Sequence, residues 1–144
     1  MEHLAPVHSR VSSVIVTTPQ AVALLDAMKC LSFTRTVALP VLGLIENMSG
    51  YVCPCCGEVS NVFSTGGGVD MARRENLAFL GSLPVDTDLV TLLDAAHIGG
   101  DAALAGPEDD EQALDLFRRY QKTSSSQLFK PIAAEIIAAL PNRG

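Results

Sequence analysis

The 144-residue sequence predicts an α/β chain in which a short parallel sheet is covered by helices on both faces. The first support is a β-α-β opening, VSSVIVT (11–17), a helical stretch, then VLGLI (41–45). Two strands joined by a helix imply a parallel pair with a right-handed crossover. The second is the unbroken apolar character of the central strand, which leaves no solvated face and asks for cover on both sides. The third is bulk: 48% hydrophobic residues and a mean hydropathy of +0.29 are enough for a real core.

Taken in order, Met1–Arg10 is mixed and polar and reads as an exposed lead-in. In the first strand Val14-Ile15-Val16 is the apolar centre. Thr18 and Pro19 then offer an N-cap and a proline at the first helical position. The helix is expected to reach about Phe33, with Ala21, Leu24, Leu25, Met28 and Leu31 as its apolar stripe and Cys30 near it in the core. Val41–Ile45 is the second strand, closed by the polar break Glu46–Gly50. The cysteine loop occupies 50–68, ending in Gly66-Gly67-Gly68, and a short helix spans Val69–Glu75. Leu77–Leu83 reads as a third strand interrupted by Gly81. Asp86 is placed to cap the next helix, whose face is Leu89, Leu92, Leu93 and Ala96 and whose stop is Gly99 or Gly100.

Residues 101–112 form an acidic loop, GPEDDE at its centre, and 113–144 a helical region with Leu128, Phe129, Ile132, Ile136, Ile137 and Leu140 on one side. Pro131 obscures where that last helix begins. The expected domain runs over 11–100. Three parallel strands leave edges that need covering, which points to part of a larger α/β unit or to a partner.

Charge narrows the partners. Ten Lys+Arg against sixteen Asp+Glu give a net charge of −6 and no basic stripe, which argues against nucleic acid and against an anionic membrane. No apolar run reaches the ~18 residues of a spanning helix, and the first residues do not read as a leader, so the expected location is the cytoplasm.

The chemically pointed residues are Cys53 and Cys56, spaced C-x-x-C directly after the buried strand, where open α/β sheets place ligands. Three of the four cysteines fall within four residues, which is no disulfide framework. Spacing alone leaves three chemistries open: a zinc shared between subunits, an iron–sulfur cluster, or a redox dithiol. Pro54 suits the dithiol, but no helix begins after Gly57 to depress the first thiol. Cys55 reads as a bystander that an alternating backbone turns away from the pair. Asn47 follows the buried strand and can offer a donor and an acceptor to a base edge, or serve as a turn residue in a left-handed conformation. Gly66–Gly68 is either an anion-binding helix start or a hinge, and the hinge is preferred because no lysine follows. His3, His8 and His97 show no ligand spacing.

Four segments, VIVTTPQAVALLD (14–26), VLGLIENMSGYVCPCCGE (41–58), FSTGGGVDMA (63–72) and FLGSLPVDTDL (79–89), resemble in order and spacing the Mrp/ApbC/NUBP family of P-loop ATPases that scaffold iron–sulfur cluster assembly. The likeness is greatest to the eukaryotic cytosolic short-form members. It implies the carboxyl-terminal part of a deviant-Walker, MinD-like sheet with flanking helices, the amino-terminal phosphate-binding half being absent. No G-x-x-x-x-G-K-[ST] occurs in the sequence, so ATPase activity is not expected of these 144 residues alone. The resemblance further implies a labile 4Fe–4S cluster bridged by Cys53 and Cys56 of two subunits, Asn47 against adenine, and Pro84 and Asp86 as weaker base contacts. Asp86 has its capping role as the competing explanation. ATP would act in the intact member. Implied partners are a second copy, or a heterotetramer with the longer NUBP-type paralogue, and apo iron–sulfur proteins that receive the cluster.

Overall fold

A computed structural model describes residues 11–53, 55–56, 58–60, 66–98 and 110–140. Met1–Arg10, Pro54, Gly57, 61–65, Gly99 and Gly100, most of the acidic segment 101–112, and 141–144 lie outside the described residues, as does the side chain of His97.

The elements run β1 (Ser13–Thr17), α1 (Ala21–Thr36), β2 (Val41–Val52), β3 (Val59–Ser60), α2 (Gly67–Glu75), β4 (Phe79–Val85), α3 (Thr87–Ile98), α4 (Asp110–Tyr120) and α5 (Ser125–Ala139). Strand β2 is central: β1 and β4 both pair with it in parallel, and β3 folds back antiparallel on its last residues. The α/β class, with a parallel sheet between helices, is therefore the one the apolar pattern predicts. Among the described residues β1 and β4 pair on one side only.

Cover on both faces follows from the alternation of β2. Leu44 faces one side and is fully buried with Ile15, Ala27, Leu31, Met71 and Ala72, beneath α1 and α2. Ile45 faces the other and packs with Leu80, Leu83 and Ile132, beneath α5. Gly81 shows why a glycine interrupts β4: its φ is +151°, and a Cβ would lie 2.9 Å from the Ile132 side chain, so α5 sits directly on the backbone.

Several boundaries differ from the sequence reading. Helix α1 starts at Ala21 after Gln20, with no side-chain cap, rather than at Thr18-Pro19. Its buried line is Ala27, Leu31 and Thr34, with Leu24 partly buried, while Leu25 (61% exposed) and Cys30 face outward. The helix carries apolar residues around much of its circumference, so periodicity could not single out the face the sheet selects. Of the apolar stripe expected along α5 only Ile132 is buried, and Ile137 and, just past the helix, Leu140 are exposed. That helix begins at Ser125 and runs through Pro131, and α4 takes in Asp110, Glu111 and Gln112 at its start. The polar break after Ile45 is not a break. Strand β2 continues to Val52 through an irregularity between Asn47 and Tyr51, where Met48 (φ +56°) and Gly50 (φ +95°) turn left-handed.

Candidate metal centre and strand ends

The site grows from the carboxyl ends of β2 and β4. Tyr51 and Val52 pair with Ser60 and Val59, and the Cys53 amide donates to the Glu58 carbonyl at 2.9 Å, so the cysteines sit in the turn of a small hairpin. Cys53 is half-buried; Cys55 and Cys56 are exposed. The backbone amides of Cys56 and Cys55 and the Cys56 thiol all donate toward the Cys53 sulfur and hold its pKa below the usual thiol value. The turn thus keeps Cys53 and Cys56 close to one another. Contrary to the alternation argument, the Cys55 amide and thiol also reach Cys53, because a turn does not alternate as a strand does. Among the described residues no group of three or more His, Cys, Asp or Glu is arranged to hold a metal ion. A C-x-x-C pair alone would be half of a tetrahedral or cluster ligand set.

Asn47 is exposed on the face of Ile45, beside Leu83 of β4. Its Oδ1 accepts the Met48 amide at 2.9 Å, and it is Met48, not Asn47, that takes the left-handed conformation. Pro84 is partly buried one residue past Leu83.

Asp86 is buried, 7% exposed. One oxygen accepts the amides of Asp88 and Leu89, capping α3. The other accepts the Ser124 hydroxyl and both the amide and hydroxyl of Ser125, at 2.7 Å for the last, holding the start of α5. Burial pushes this carboxyl up, but the hydrogen bonds from Ser125, Leu89 and Ser124 outweigh it and bring its pKa to about 2. The cap foreseen from sequence is present, and the tie to a helix 39 residues away was not foreseen.

Sequence reasoning missed Glu46. This carboxylate is 1% exposed, faces the α2 side of the sheet, and accepts the Ser49 hydroxyl and the Gly68 amide, each at 2.6 Å. The glycine run is accordingly a helix start filled by an internal acceptor oxygen, Gly66 being left-handed at φ +83°. No local signal marks it, since the helix start it meets lies 22 residues further along the chain.

Residues 3–124 match the model of the ParA family described as NUBPL iron-transfer P-loop NTPase. The chain belongs to this family. Among relatives of this NUBPL-type chain, the cytosolic Fe-S cluster assembly factor CFD1 of Mycosarcoma maydis is 42% identical over 92% of the chain and 36% of its own length. The cytosolic Fe-S cluster assembly factor NUBP2 of Bos taurus is 50% identical over 65% of the chain and 36% of its own length. A solved nucleotide-binding protein from Archaeoglobus fulgidus, in complex with ADP, superposes with a TM-score of 0.52 at 33% identity, covering 60% of this chain and 36% of that one. The NUBPL-type chain thus spans well under half the length of each relative. No helix among its described residues is long and apolar enough to cross a membrane.

Proposed function

We propose that this chain contributes the cluster-holding portion of a cytosolic iron–sulfur assembly scaffold. The cargo is a labile 4Fe–4S cluster held between Cys53 and Cys56 of two subunits and passed to apo-proteins. The observation that carries the reading is the hairpin turn, which sets Cys53 and Cys56 together just past the buried strand, with the pKa of Cys53 lowered. Two thiolates per chain against four iron corners call for two chains. The relatives' names as cytosolic Fe-S cluster assembly factors support both the role and a cytosolic location. The second subunit is another copy or the longer NUBP-type paralogue.

In the whole protein, ATP would lie across the ends of β2 and β4. Asn47 meets the adenine, with Pro84 beside it, and Asp86 shapes the same edge by fixing α3 and α5. Met48–Val52 links that edge covalently to the thiols, so nucleotide-dependent changes reach the hold on the cluster. The edge of β1 or of β4 that is unpaired among the described residues is a place for further strands of the longer relatives.

Anaerobic reconstitution of the chain with iron and sulfide tests this. The expected outcome is a coloured dimer whose iron is lost in Cys53→Ala and in Cys56→Ala. A colourless dimer with about half an equivalent of zinc per chain would indicate a structural zinc instead. A colourless monomer cycling between dithiol and disulfide would indicate an oxidoreductase. Either result overturns the scaffold reading.

A further inference from the structure

Glu46 is a fully buried acid that neither the thiol site nor the base-facing edge uses. Its two oxygens go to different places in the chain. Oε1 accepts the Ser49 hydroxyl, in the irregular stretch where β2 leaves regular pairing with β4. Oε2 accepts the Gly68 amide, in the first turn of α2. Between Ser49 and Gly68 lies the segment that carries Cys53, Cys55 and Cys56. One side chain therefore closes that segment at its entry and its exit.

The surroundings are shaped for this. A Cβ on Gly68 would stand 3.0 Å from both Cβ and Oε2 of Glu46 and 3.1 Å from Leu44 Cδ2, so a larger residue would crowd the carboxylate. The α2 amino terminus points its free amides at this side chain, and the Gly68 amide is met by Oε2. The next residue along β2 is Asn47.

We propose that Glu46 is the positioning residue of the cysteine segment: its carboxylate clamps both ends, so that Asn47, the hairpin turn and the α2 start move as one body. The functional meaning of the clamp rests on the scaffold reading above, but its existence does not.

The test needs no iron. In the full chain, amide exchange is followed at Gly68 and Ser49, together with the ratio of Cys53 to Cys56 alkylation by iodoacetamide, resolved from Cys55 and from each other by fragment-ion masses. Glu46→Ala is expected to speed Gly68 exchange about tenfold or more and to change the alkylation ratio. Glu46→Gln keeps an acceptor for Gly68, and the Ser49 hydroxyl can reverse to accept from the new amide. It should therefore restore Gly68 protection to within about threefold of the parent. Leu44→Val weakens the same core without touching the carboxylate, and it should leave the ratio unmoved. Should Glu46→Ala fail to fold, Ser49→Ala serves in its place, loosening the entry and changing the ratio while Gly68 stays protected.

An unchanged ratio in the folded Glu46→Ala variant, or in its Ser49→Ala substitute, overturns the proposal. So does a Leu44→Val chain that matches Glu46→Ala. Absence of iron in the parent chain would count against the scaffold reading alone.

Discussion

At the carboxyl end of β4, Asp86 turns inward and accepts five hydrogen bonds from α3 and the start of α5. At the carboxyl end of the neighbouring β2, the chain runs outward into a hairpin whose thiols are half-buried or exposed. The two strand ends are adjacent in one sheet, yet one spends its polar atoms on closing the fold and the other leaves its reactive atoms for something outside it. Buried, saturated polar groups hold a structure together. Thiols gathered in an open turn, with Cys53 held below the usual thiol pKa, contribute little to folding and are placed for chemistry. Glu46 stands between the two cases: its carboxylate is as buried as Asp86, but what it holds is the thiol segment.

This contrast separates by mutation. Asp86→Ala removes a cap and leaves buried donors of α5 unmet, and should lower the unfolding free energy by about 2–4 kcal/mol in urea denaturation. Cys56→Ala, the variant expected to lose iron, should move the same denaturation curve by less than about 0.5 kcal/mol. A large stability loss at Cys56, or none at Asp86, would erase the distinction.

Acid sharpens it. The pKa of Asp86 is depressed from 3.8 to about 2, so its contribution is fully present above pH 3.8 and is lost as pH falls through about 2. The shift corresponds to on the order of 2 kcal/mol. A pH series of denaturation midpoints between neutrality and pH 2 should show this slope, and Asp86→Asn should flatten it.

A smaller effect is expected at the packing that supports the β4 end. Gly81→Ala puts a methyl against Ile132 in a backbone conformation that disfavours side chains, at a cost of about 1–3 kcal/mol. The change should appear as a lower melting temperature with the thiol alkylation pattern intact.

Much of this was legible in the chain itself. The β-α-β opening, the buried central strand and the C-x-x-C pair follow from local pattern, because strand and helix periods and metal-ligand spacing are properties of short windows. The α3 cap at Asp86 was legible for the same reason, its donors Asp88 and Leu89 lying two and three residues on. What escaped was decided across distance. Glu46 read as the start of a polar break, since nothing nearby announces that Gly68 returns 22 residues later to meet it. Leu25 and Met28 read as core, since a helix with apolar residues on several sides does not declare which side the sheet will take.

Sequence alone determined the class of fold, the order of its main elements and the presence of paired thiols after a buried strand, since each depends on neighbours along the chain. Tertiary structure alone decided which carboxylates are spent inside the protein and which helix faces stay open. Those outcomes depend on groups far apart in sequence arriving within hydrogen-bonding or van der Waals reach, and periodicity carries no record of such meetings.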